Sequence, residues 1–168
     1  DDIVNMLWLK TGILYEFSSM AGAMIGKNTS DIEDPVVQSI KQFTGKCGIA
    51  FQLQDDILGI IGDEKVLGKP IGSDIREGKK TTILLKTLRN ASKKQMAKIT
   101  SILGDKDATD DDILKVKQLM IDLQGVEYTK NLAQNYINQA LPFLDDLPEN
   151  KYKTLLLEWA HFMINRSF

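Results

Sequence analysis

The stretch DPVVQSIKQFTGKCGIAFQLQDDILGIIG, residues 34–62, decides the fold. Asp34 is suited to cap a helix N-terminus. Pro35 then falls at the first helical position, where its missing N–H leaves no bond unmade. Beyond it Ile49, Phe51, Leu53, Ile57, Leu58, Ile60 and Ile61 surround most of a helical circumference, which predicts a long packed helix running to about Gly62. Its polar positions are not scattered. Gln52, Asp55, Asp56 and Gly59 stand at i, i+3, i+4 and i+7 and so share one face, which Gly45 and Gly48 extend towards the N-terminus.

Outward from this helix the same periodicity recurs. Residues 3–26 predict a first, buried helix ending near Gly26, and further helices are expected at about 79–90, 92–103, 110–123, 127–144 and 151–165. Alternating β-branched runs bounded by Asn-Gly or Asp-Gly turns do not occur, so the fold class is all-α. The least regular part is residues 63–78, where Gly68, Pro70, Gly72 and Gly78 lie among charges. No repeat or low-complexity linker divides the chain, and 168 residues suit a single domain. The chain opens at Asp1 without Met and runs at once into Ile3, Val4 and Met6, which reads as a start inside a helix.

Composition removes several classes of function. With 21 Lys and Arg against 23 Asp and Glu, the net charge of −2 offers no cationic field for nucleic acid. One cysteine, Cys47, and one histidine, His161, exclude an internal disulfide, a cysteine-based zinc site and any triad that needs a second histidine. A reducing, cytoplasmic setting is expected. Residues 1–26 lack the features of a secretory signal, and Asn5, Lys10, Thr11 and Glu16 interrupt the one long apolar stretch well short of a membrane span.

Asp55 and Asp56 carry the first chemical signal. Carboxylates on a packed helix must be paired or neutralised, and Mg2+ does this with one or two carboxylates, water and substrate phosphate. Solvated acidic pairs such as Asp1-Asp2 and Asp145-Asp146 are the competing reading. Lys65, Lys69, Arg76, Lys79 and Lys80 follow the helix, so a glycine-containing loop could fold cations over the carboxylates, which together suit a diphosphate; the alternative is a solvated turn. Residues 72–80 are no nucleotide P-loop: the glycine spacing is wrong, Lys80 stands where Ser or Thr is required, and no strand precedes them. Lys10, nearly alone among apolar residues, either faces an anion or carries its ammonium to the surface along its stem. Asp110, Asp111 and Asp112 suit a helix N-terminus and fail the EF-hand pattern.

Three linked segments carry a family resemblance. Lys10-Thr-Gly12, then Gly48-Ile-Ala-Phe-Gln52-Leu-Gln-Asp55-Asp56-Ile-Leu-Gly59, then Gly68-Lys69-Pro-Ile-Gly72-Ser-Asp74-Ile-Arg-Glu-Gly78-Lys79-Lys80-Thr81 resemble, in order and spacing, the trans-isoprenyl diphosphate synthases, the farnesyl and geranylgeranyl type with archaeal- or bacterial-like wording. The resemblance implies an antiparallel helical bundle of the isoprenoid synthase type. It also implies an Mg2+-dependent prenyltransferase that joins an allylic diphosphate to isopentenyl diphosphate and works as a homodimer. On that resemblance Asp55 ligates Mg2+, Asp56 supports it and Asp74 acts through metal-bound water. Lys10, Lys69 and Lys79 hold the diphosphate, while Thr11 and Gln52, with Lys10, lie beside the developing allylic cation.

Two departures shape the expectation. Gly59 stands where many members carry a third aspartate, which points to weakened metal binding. The family's first Asp-rich motif belongs upstream of the Lys-Thr segment, and Asp1-Asp2-Ile3-Val4-Asn5 does not replace it. The chain is therefore expected to be the carboxy-terminal portion of a synthase, a bundle lacking its N-terminal helices and inactive alone. The alternative function is a non-catalytic truncated subunit that regulates a complete synthase; decay of Lys10, Asp55, Lys69 and Lys79 would mark it, and all four are present.

Overall fold

The computed structural model describes residues 2–62, 72–145 and 147–166, and among them there is no strand. The elements in chain order are α1 (Asp2–Leu7), a π-helical segment (Trp8–Gly12), α2 (Ile13–Lys27), α3 (Pro35–Ile61), α4 (Ser73–Arg76), α5 (Thr82–Asn90), α6 (Lys93–Ile102), α7 (Asp110–Asp122), α8 (Gly125–Ala140), a 3-10 turn (Leu141–Leu144) and α9 (Lys151–Asn165). The all-α expectation holds. The expectation of a bundle lacking its N-terminal helices is corrected by α1, which is helical from Asp2 and turns Leu7 into the core at 2% exposure. Asp2 in its first turn is the charge that a helix N-terminus favours.

Local chemistry explains the helix starts. Asp34 accepts bonds from the Val36 and Val37 amides, and its second oxygen takes the Lys27 ammonium at 2.5 Å, which holds this carboxyl below its ordinary range. Ser92 and Gln95 close a capping box on α6. Thr109 caps α7, where Asp112 accepts the Thr109 hydroxyl and Asp111 pairs with Lys115, so the Asp110–Asp112 run does the work of a helix entry. The helix expected from Lys79 starts three residues later, because the Thr81 hydroxyl caps it by accepting the Leu84 amide.

The chain forms two compact units: Asp1–Gln52 with Leu132–Arg166, and Leu53–Asn131. In the first, Val37, Phe43, Cys47 and Ala50 of α3, Ile137 and Ala140 of α8 and Ala160 of α9 are fully buried. Trp159 stands 5.6 Å from Tyr15 and 6.0 Å from Phe43, Tyr15 lies 6.0 Å from Phe51, and the Arg166 guanidinium covers the Phe51 ring at 4.0 Å. The helix expected to be buried over 3–26 is not. No residue of α2 is fully buried, and Leu14, Phe17 and Ile25 are 67%, 71% and 81% exposed. Its apolar residues lie on all sides, whereas packing covers only the side bearing Tyr15 and Ser19.

The second unit is built on one apolar cluster. Ile57 and Ile60 of α3, Ile75 of α4, Ile83 and Leu84 of α5, Ile99 of α6, Val116 and Met120 of α7 and Val126 of α8 meet in it. Burying each large side chain contributes about 1.5–3 kcal/mol. Beside it α5 and α8 approach closely: the Thr82 and Thr129 hydroxyls are 2.9 Å apart, and a Cβ on Gly125 would lie 2.5 Å from the Ile83 carbonyl oxygen and against the Thr87 hydroxyl. Among the described residues no helix is long and apolar enough to cross a membrane.

Two measurements test this packing. Gly125→Ala, forced against a backbone carbonyl, is expected to destabilise the protein by about 1–3 kcal/mol in thermal or urea unfolding. Gly22→Ala, in the middle of α2 with open space where its Cβ would stand, is expected to stabilise it by roughly 0.5–1 kcal/mol. Burial pushes the Cys47 thiol up to about 12. The folded protein should therefore resist a thiol reagent at pH 8 until it unfolds. The stability that this group contributes is complete below the unfolded thiol range and is lost as pH rises towards 12, which urea titration at pH 8 and 11 would show.

Candidate functional site

In the first unit the sequence-predicted residues centre on the π-helical segment. The Ile13 amide reaches back to the Trp8 carbonyl, so the turn that carries Lys10 and Thr11 takes in one extra residue and is underwound relative to an α-helix. Thr11 is thereby turned towards α3, where its hydroxyl donates to Oε1 of Gln52 at 2.8 Å. Gln52 is only 7% exposed, so this bond satisfies an otherwise costly buried amide oxygen. Lys10 is exposed on this turn.

Gly12 and Gly48 make the close approach possible. A Cβ on Gly48 would stand 2.7 Å from the Gly12 Cα, so the π-helical turn and α3 meet backbone to backbone. Gly45, one turn earlier on α3, leaves the volume filled by the Glu16 side chain, whose Cγ would lie 2.8 Å from an added Cβ. Glu16 accepts the Trp8 indole N–H at 2.6 Å. Neither Trp8 nor Glu16 stands out in the sequence as a site residue, because about two helical turns separate them, beyond the reach of the i, i+3 and i, i+4 pairings. The glycines at 12, 45 and 48 were the available signal.

The second unit holds the carboxylates. Asp56 is buried at 8% exposure, while Asp55, one residue and about 100° round the helix, is half-buried. Four residues on, Gly59 faces the Asp74 carboxylate: a Cβ at position 59 would lie 2.9 Å from Oδ2 of Asp74. The Gly72 amide donates to the Gly59 carbonyl at 3.4 Å, which seats the start of α4 on the end of α3. Gly72 holds a φ of 78°, in the left-handed region that favours glycine. Lys79 then grips Asp74 through its ammonium and reaches Glu77 at 3.2 Å. The Asp74 carboxylate raises the Lys79 ammonium above the ordinary lysine range; partial burial opposes this and Glu77 adds to it.

Of the other cations expected over the carboxylates, Arg76 is directed elsewhere, to the Ala108 carbonyl and, at 2.6 Å, to Asp110. Lys80 is exposed. Lys65 and Lys69 lie outside the described residues. The structure therefore brings Thr11 to Gln52 in one unit, and Asp74 to Lys79 and Gly59 in the other. Among the described residues no group of three or more carboxylate, thiol or imidazole side chains converges as a ready cation cage. Asp55 and Asp56 remain a donor pair of the kind Mg2+ accepts, because that ion takes one or two carboxylates and fills its other positions with water and phosphate oxygen.

The polyprenyl synthetase family model matches residues 1–120. A match that begins at the first residue overturns the expectation that the resemblance is to the carboxy-terminal portion only. The geranylgeranyl diphosphate synthase of Saccharolobus solfataricus is 39% identical over 168 residues, 99% of this chain and 49% of the relative. The polyprenyl synthase of Caulobacter crescentus, whose crystal structure is a complex with calcium and isoprenyl diphosphate, superposes with a TM-score of 0.90 at 28% identity, covering 99% of this chain and 49% of that one. The geranylgeranyl pyrophosphate synthase of Corynebacterium glutamicum, solved with isoprenyl diphosphate and magnesium, gives 0.74 at 29% identity over 80% of this chain and 38% of that one. The chain spans about half the length of the curated relatives it matches. A family match over residues 1–120 and near-complete alignment to such relatives lead to one assignment: the chain belongs to the polyprenyl synthetase family.

Proposed function

We propose that this protein serves the Mg2+-dependent condensation of an allylic diphosphate with isopentenyl diphosphate, giving a short-chain isoprenyl diphosphate of the farnesyl or geranylgeranyl kind, and that it does so as a homodimer. The observation that carries this reading is the seat of Asp74. Its carboxylate rests against Gly59, on the helix that bears Asp55 and Asp56, and Lys79 holds it there. A structural ion pair needs no second carboxylate pair one turn away, whereas a site for a metal-bound diphosphate needs both signs of charge.

In this reading Asp55 ligates the metal, Asp56 supports it and Asp74 acts through water. When bound, the divalent ion supplies the positive charge that stabilises a departing diphosphate. Lys79 and Lys10 hold the diphosphate oxygens, and so does Lys69, which lies outside the described residues. Lys10 lies exposed on the π-helical turn, which suits an anion arriving from solvent. Thr11 and Gln52 present oxygen dipoles beside the developing allylic cation, and their mutual bond fixes which way those dipoles point. Neither forms a covalent intermediate.

The test is a condensation assay with an allylic diphosphate, isopentenyl diphosphate and excess Mg2+, run beside calorimetric diphosphate binding. The expected result is a longer prenyl diphosphate, reduced about 100-fold or more by Asp55→Ala. Mg2+-dependent diphosphate binding without product would support a non-catalytic regulatory subunit instead. Absence of both would overturn both readings.

A further inference from the structure

The geometry points to Trp8 and Glu16 as a pair of positioning residues that clamp the π-helical turn and so hold Thr11 on Gln52. The inference rests on the proposed reading only for the catalytic consequence; the clamp itself is a matter of structure. Trp8 opens the π-helical segment, Glu16 lies in the first turn of α2 beyond it, and the indole N–H of one donates to the carboxylate of the other at 2.6 Å. The bridge thus spans the whole irregular turn. A π-helical turn is less stable than the α-helix it interrupts and needs an outside restraint to persist.

Both arms of the bridge are let into notches that only glycine leaves. A Cβ on Gly12 would lie 2.9 Å from Cδ1 of the Trp8 indole. A Cβ on Gly45 would lie 2.8 and 2.9 Å from Cγ and Cδ of Glu16. The Glu16 carboxylate therefore touches the turn through Trp8 and α3 through Gly45, and ties the two together. Between these notches Gly12 meets Gly48, and one turn further along α3 stands Gln52, the partner of Thr11. The glycine stripe on α3 is explained as the bed of this clamp. Its chemical effect is indirect: Trp8 and Glu16 keep the Thr11 hydroxyl donating to Gln52, and so keep the orientation of both dipoles.

The decisive experiment follows amide hydrogen exchange and the indole proton by NMR in the full chain. It is run for wild type, Trp8→Phe, Glu16→Ala, Glu16→Gln and Gly45→Ala. The chain has two tryptophans, so the Trp8 indole proton is readily assigned. Loss of the charge-assisted bond in Trp8→Phe or Glu16→Ala should speed exchange at Lys10–Ile13 by about tenfold or more, with α7 amides unchanged. Gly45→Ala should do the same by pushing the carboxylate aside. Glu16→Gln, which keeps an acceptor oxygen, should restore most of the protection. In the condensation assay the disruptive variants should lower kcat more than they raise the allylic KM. Unchanged exchange at Lys10–Ile13 in Trp8→Phe and Glu16→Ala would overturn the clamp. Faster exchange with no change in kcat of an active protein would overturn its positioning role. If the wild type catalyses no condensation, the proposed reaction fails while the exchange data still decide the clamp.

Discussion

Everything in the first unit depends on backbone meeting backbone where Gly12 faces Gly48. That approach admits no Cβ on the α3 side, and it brings a π-helical turn close enough for a threonine hydroxyl to reach a buried glutamine. A larger residue at 48 would collide with main chain, which cannot rotate away as a side-chain tip can. The aromatic packing of Tyr15 against Phe51 and Trp159 lies beside this contact. In the second unit the same logic recurs with a different filler. Gly59 again leaves a notch on α3, and a carboxylate rather than a backbone occupies it.

Helix α3 therefore uses its glycines in three ways, set by what arrives opposite. Gly48 takes main chain, Gly45 takes the stem of Glu16, and Gly59 takes the head of Asp74. Interspersed are the polar side chains Gln52, Asp55 and Asp56, which a continuous apolar helix could not present without such gaps. Small residues thus alternate with chemical ones along one stripe because the chemical ones need neighbours brought within hydrogen-bonding distance.

Most of the fold was legible because its signals are local. Asp34, Ser92 and Thr109 cap the helices that follow them by satisfying amides within three residues, a distance at which sequence spacing and space coincide. The long α3 was legible for the same reason. What escaped depends on distant partners or on departures from the 3.6-residue period. The π-helical turn at Trp8–Gly12 cannot be read from apolar spacing, since that spacing presupposes the α-helix. Burial of residues 3–26 was inferred from composition, yet an all-round apolar helix such as α2 covers only the face its neighbours reach. Absence of the N-terminal helices was inferred from a missing motif, whereas α1 is helical from Asp2 and buries Leu7. At the site, the segments that bear Thr11, Gln52, Asp55, Asp74 and Lys79 were recognisable from the sequence. That Arg76 would turn to Asp110 was not, because that outcome depends on an element far along the chain.

The Asp74 seat carries an evolutionary consequence. Positions 59 and 74 are fifteen residues apart in sequence but share one volume, so their substitutions are epistatic. A side chain acquired at 59 would press on Oδ2 of Asp74, and the carboxylate that Lys79 holds would have to shift. Because the atom met is the tip of a flexible side chain rather than main chain, an acid at 59 and one at 74 can coexist if the Asp74 carboxylate shifts, so the coupling between the two positions lies in where the carboxylate stands and how firmly Lys79 holds it.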